Sequence, residues 1–179
     1  DHLAAIQRWL RQPSISAQNV GITDMAELVR QDLEDMGFAE AEIVPTDGHP
    51  GVWGYYDAGA DKTLVVYLMY DVQPVNEEDW QTPPFAGNLV DHERGKVLMA
   101  RGATNQKGPQ RALLNAIESI IATTGGLWGE IPFLILNVGE TQAEEAFIWW
   151  KEQFGEDFYV ELNRHGIPEE EKVNEVLLE

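Results

Sequence analysis

Leu64-Val65-Val66-Tyr67-Leu68-Met69-Tyr70-Asp71 is the stretch on which the fold turns. An apolar run stops abruptly at a carboxylate. A strand with one wet face would leave every second position polar, so an unbroken run reads as a strand covered on both faces. Strands of that kind belong to α/β sheets, whose ligands gather at the strands' carboxyl ends. Tyr70-Asp71 therefore marks the edge where chemistry is expected.

Upstream, Leu3, Ile6, Trp9 and Leu10 follow helical spacing until Pro13 stops them. Ser14-Ile15-Ser16 reads as loop. A second helix is expected with Thr23 as its cap, with Met25, Leu28, Val29, Leu33 and Met36 on one face and with Gly37 as terminator. Glu42 to Pro45 and Val52 to Tyr56 read as strands between turn residues. Downstream, Trp80 to Phe85 holds Pro83-Pro84 and is loop, and Lys96 to Ala100 is a strand. From Pro109 a helix is expected to bury Ala112, Leu113, Ala116, Ile117, Ile120 and Ile121 and to end at Gly125-Gly126. Phe133 to Leu136 and Phe158 to Leu162 read as strands, Glu144 to Phe154 and Glu169 to Leu178 as helices. Alternating elements predict one α/β domain over 1–179. It should be a three-layer αβα sandwich whose mixed, mostly parallel sheet carries helices on both faces. Asn137 to Glu140 joins Tyr70-Asp71 at its functional edge.

The formal net charge is -19, which repels phosphate backbones and anionic membranes, so neither nucleic acid nor membrane is expected as partner. No apolar run is long enough to span a bilayer. There are no cysteines, which rules out disulfides and thiolate metal sites and fits a cytoplasmic protein.

Three segments carry a resemblance. They are Tyr67 to Val75 with Trp80 and Pro83-Pro84-Phe85, then Ala100-Arg101-Gly102-Ala103-Thr104-Asn105-Gln106-Lys107-Gly108-Pro109, and Phe133 to Leu136 running into Gly139-Glu140. In order and spacing, from about Leu3 to Glu140, the chain resembles the zinc-dependent superfamily of aminoacylases, acetylornithine deacetylases, succinyl-diaminopimelate desuccinylases, carboxypeptidase G and carnosinase-like dipeptidases. The resemblance implies a zinc-exopeptidase-like fold and an amide or peptide hydrolase acting on N-acyl amino acids or dipeptides. It also implies a pair of zinc ions, a bridging carboxylate, a glutamate that takes a proton from the metal-held water, and a homodimer as one open outcome. Carried over position by position, it makes Asp71 and Glu140 the catalytic candidates and Asp71, Asn105, Glu140 and Glu161 the metal candidates.

Several of those positions depart from the pattern. Met69 stands where the family has a zinc-binding His, and a neutral thioether there reads as a core residue ending its strand. Asp71 remains, either as a turn carboxylate or as part of a metal site. Asn105 stands for the bridging Asp; an amide offers one neutral oxygen, so a turn residue is the plainer reading. The family's non-proline cis peptide would fall between Asn105 and Gln106. Lys107 is an anion contact or a solvated lysine. No register around Gly139, Glu140, Thr141 and Gln142 restores a glutamate pair, and Glu144-Glu145 reads as a solvated helical face. His165 beside Glu161 reads as a surface or structural histidine. Trp149-Trp150 is either half core and half surface or an interface. By the resemblance a lid domain would follow the sheet, and the expectation here is a domain without it, with Ile167 to Glu179 reading instead as an acidic helix. Two functions follow: a hydrolase with weakened or lost two-zinc catalysis, or a non-catalytic scaffold or binding module on the same fold.

Overall fold

The computed structural model describes residues 1–59, 64–126, 133–137 and 159–161. Helix α1 spans His2–Arg11; Asp1 caps it by accepting from the Leu3 amide, and Arg8 and Arg11 sit in its last turn, where the helix dipole favours cations. Helix α2 spans Ile22–Asp35. Its cap is Gly21, not Thr23. The chain makes a left-handed turn at Gly21, φ 67°, pressed against the Pro13 carbonyl, and only a residue without Cβ fits there. Gly37 follows the helix at φ 86°, as a terminator should.

Strands β1 (Glu40–Val44), β2 (Gly51–Tyr56), β3 (Leu64–Leu68), β6 (Phe133–Asn137) and β7 (Tyr159–Glu161) form one sheet, ordered β1-β2-β6-β3-β7. β3 runs parallel to β6 and β7 on its two sides, while β1–β2 and β2–β6 are antiparallel. The sheet is therefore mixed, with parallel and antiparallel pairings in equal number among the described strands, not mostly parallel. β4 (Asn88–His92) and β5 (Gly95–Met99) form a separate hairpin. Sequence reading finds β5 and misses β4. The hairpin leaves most of β4 exposed, so no buried face imposes an alternating pattern on it.

Helix α3 spans Lys107–Thr124. All three described helices pack on one face of the sheet. Trp9, Met25, Val29, Leu33, Leu114 and Ile117 share a core with Val52 and Leu68. Trp53 and Val65 form a smaller buried cluster on the opposite face, as alternation along a strand requires. Among the described residues no helix is long and apolar enough to cross a membrane.

The stripe expected on α3 is corrected. Ala112, Leu113, Ala116 and Ile120 are exposed, while Lys107, Gln110, Arg111, Leu114, Asn115 and Ile117 face inward. Two rows of the helix are apolar enough to bury, and polar partners decide between them. Arg111 is in ion-pair range of Asp32 and Glu118, and the Asn115 side-chain amide donates to the His2 carbonyl. Asp32, itself buried, accepts from the Trp9 indole at 2.7 Å and from Arg8.

Candidate functional site

The expected edge is where β3 runs out. Met69, Tyr70 and Asp71 follow its last residue, and α3 begins beside them. Two loops from the front of the chain stitch this corner together. The Ser14 hydroxyl donates to the Tyr70 carbonyl at 2.6 Å, and the Val72 amide donates to the Ser14 carbonyl at 2.8 Å. The buried Tyr70 hydroxyl donates to the Pro50 carbonyl. Burial, then the nearby Asp71 charge, pushes that hydroxyl's pKa up, so it stays a donor.

Asp71 Oδ2 accepts from the Ser16 hydroxyl at 2.8 Å. The carboxylate that the resemblance pairs with a histidine is thus held by a serine 55 residues upstream. The Ser16 carbonyl lies 3.0 Å from His49 Nε2; a carbonyl only accepts, so that nitrogen carries the proton. Asn105 is exposed at the turn before α3. No cis peptide occurs among the described residues, so the family's cis link, which would fall between Asn105 and Gln106 if kept, is not there. The chain instead turns through Gln106 at φ 75°, ψ -91°.

Gln106 and Gln110, one helical turn apart, close on Met69. Gln106 Nε2 donates to the Met69 sulfur at 3.8 Å. Gln110 Nε2 donates to the Met69 carbonyl and, at 3.2 Å, to Gln106 Oε1. Gln110 Oε1 is buried with no protein partner. On the rim, Arg101 stacks over Trp80 at 5.1 Å and donates to the Pro74 carbonyl.

Lys107 is neither solvated nor an anion contact. It is fully buried, and its ammonium donates to the Trp9 and Gln12 carbonyls at the end of α1. Burial pulls its pKa down to about 7, with the Asp71 charge opposing the shift. An unfolded lysine titrates near 10.5. Between those values the unfolded chain binds the extra proton, so the folded state gains stability as pH rises and loses it as pH falls toward 7. Urea unfolding should therefore show Lys107→Met with a flatter stability profile than the parent from pH 7 to 10. Equal slopes would refute the assignment.

The other expected site residues fall as follows. β6 ends at Asn137, level with Leu68, and Glu140 lies outside the described residues, as do Gly139, Thr141, Glu144-Glu145, Trp149-Trp150, His165 and the two late helices. Glu161 pairs with Val66, which sets its backbone about 10 Å back along the strand direction from Met69 at the usual rise per residue. The structure thus brings Asp71, Met69 and the start of α3 to one edge. Sequence reading passed over Ser16, His49, Gln106 and Gln110. The four-residue spacing of the two glutamines was a usable signal; the other contacts depend on tertiary folding.

Among the described residues no group of three or more His, Cys, Asp or Glu could hold a metal. The described residues do not fit a two-zinc centre. Zinc takes imidazole, thiolate and carboxylate, whereas this corner offers a thioether, amides and one serine-bound carboxylate.

Comparison with known proteins points two ways. The chain is similar to the M20 family metallo-carboxypeptidase of Sulfolobus solfataricus, with a TM-score of 0.78 and 29% identity over 93% of this chain and 38% of that one. Human carnosine dipeptidase 1 shares the fold at TM-score 0.71 and 21% identity, over 89% of this chain and 37% of that one. A Cys-Gly metallodipeptidase of Candida albicans is 30% identical over 131 residues, 64% of this chain and 27% of its own length. The family model of the PHP domain matches residues 89–165. The DNA polymerase III subunit alpha of Borreliella burgdorferi is 44% identical over 61 residues, 34% of this chain and 5% of that protein. The peptidase likeness supports the expected superfamily. The PHP likeness was not foreseen, and it takes in Asn105, Glu140, Glu161 and His165 while leaving Met69 and Asp71 outside.

Proposed function

We propose that the chain is a peptidase-type hydrolase of the M20 metallopeptidase kind, directed at dipeptides or N-acyl amino acids, with its two-zinc catalysis weakened or lost. The observation that carries the reading is the fold match over 93% of the chain to a metallo-carboxypeptidase. Asp71, with Glu140, Asn105 and Glu161 as further candidates, is where the reading locates the site. A small-molecule substrate, a cytoplasmic setting and a homodimer belong to the same proposal. The chain spans 27% of the dipeptidase it resembles.

A second reading, a non-catalytic scaffold, is favoured by the amide and thioether network that stands around Met69 where the resemblance calls for zinc ligands. One assay separates the two. With zinc supplied, dipeptide and N-acyl amino acid turnover by the chain should be slow and should rise in the double variant Met69→His, Asn105→Asp. No turnover by either protein would sink the hydrolase reading and leave the scaffold.

A further inference from the structure

We infer that the corner between the end of β3 and the start of α3 is a metal-free joint, closed by a neutral amide and thioether network where the resemblance calls for zinc ligands. The inference rests on the hydrolase reading, since only against it do Met69 and Asn105 count as replaced ligands. The network fixes its own orientation. Gln110 Nε2 serves the Met69 carbonyl and Gln106 Oε1, and Gln106 Nε2 serves the Met69 sulfur. Flipping either amide would set acceptor against acceptor. Donors therefore point at Met69, where a dication would need lone pairs. Asp71, the lone carboxylate at this corner among the described residues, accepts from Ser16 through Oδ2 and by itself falls short of a metal's ligand set. The remaining buried acceptor, Gln110 Oε1, is neutral. The N-terminal end of α3, which carries a partial positive charge, opens onto the same corner and disfavours a cation further.

What a bridging metal would do mechanically, these bonds do directly. They tie the helix start to a strand end 37 and 41 residues earlier in the chain. The joint thus accounts for the buried Gln110 and the half-buried Gln106, which the hydrolytic reading leaves without a role.

The test uses the full chain, dialysed against a chelator. Zinc content is read by atomic emission and unfolding by a thermal melt, with chelator and with added zinc. The expected result is no stoichiometric zinc and the same Tm in both. Gln110→Met should lower the Tm equally in both. The double variant Met69→His, Asn105→Asp should bind zinc at least about tenfold tighter than the parent, the scale on which even a ligand's supporting partners act. Stoichiometric zinc in the parent, or a parent Tm that falls on chelation, would overturn the joint, whether or not the double variant folds. Dipeptide turnover that persists in chelator would leave the joint standing and remove the metallopeptidase reading instead.

Discussion

Asp32→Ala should destabilise the fold by about 3–5 kcal/mol, the scale for removing one partner of a buried ion pair. Asp32 is 2% exposed and Arg111 4%, so neither can turn to water when the other is lost. The carboxylate also accepts from the Trp9 indole, and the Arg111 guanidinium lies over that indole at 5.9 Å. One truncation thus leaves a buried cation with only the half-exposed Glu118 for a counter-charge and strands a buried N–H. Arg8, the third partner, is half exposed and can rehydrate, so it contributes little to the loss. Asp32→Asn keeps an acceptor for Trp9 and should cost less than Asp32→Ala. In an Arg111→Met background the same Asp32→Ala change should cost less, because the buried cation that faces Asp32 is already gone. Urea unfolding of the parent and the four variants measures this. A loss below about 1 kcal/mol for Asp32→Ala alone would place the pair in the class of surface bridges and defeat the argument.

The contrast between Asp32 and β3 shows how much of the molecule was legible in the sequence. Strand β3 could be read because its signal is local: an unbroken apolar run needs cover on both sides, and β6 and β7 provide lateral pairing. Helices α1 and α2 were equally plain, since Trp9, Met25, Val29 and Leu33 repeat at helical spacing and are buried. Asp32 sits within the apolar stripe of α2, one turn from Leu28 and from Met36, but a lone carboxylate there names no partner until Trp9 and Arg111 arrive from other helices. Helix α3 shows the same limit. Its apolar residues outnumber the places its inner face has for them, and the buried Gln110, Arg111 and Asn115 follow from bonds no periodicity records. The candidate site was legible as an edge and not as a mechanism. Asp71 was found at a strand end, but its partner Ser16 sits 55 residues away. The second likeness, over residues 89–165, overlaps the peptidase pattern at Ala100 to Pro109, so the same residues carry both signals and the stretch around Glu161 has no local feature that separates them.

Gly108→Ala should have the opposite sign from the one helix propensity assigns. Within a helix, replacing glycine by alanine ordinarily gains roughly 1 kcal/mol. At Gly108 the added methyl would overlap the Ala103 carbonyl, whose carbon lies 2.8 Å from the Cβ position, with the oxygen closer still. Neither atom belongs to a flexible side-chain end. The Gly108 amide also donates to the Gly102 carbonyl at 2.9 Å, so the loop cannot back away without breaking that bond. Gly102 cannot yield either, for it stands at φ 88° against a Val72 methyl. Overpacking of a rigid interior costs about 1–3 kcal/mol and sometimes more, and with backbone on both sides the upper end applies. The net expectation is a loss of about 2 kcal/mol or more, the clash outweighing the propensity gain. Gly125→Ala serves as control. A methyl there meets nothing, and its cost is confined to the strain of φ 77°, on the order of 1 kcal/mol. Because Gly108 immediately follows Lys107, any shift that relieves the clash must also move the ammonium off the Trp9 and Gln12 carbonyls. The variant should therefore lose thermal stability and, with it, the pH dependence assigned to Lys107. A Gly108→Ala protein as stable as the parent would mean that α3 does not approach the Ala103 loop this closely, and the corner built on that approach would fall with it.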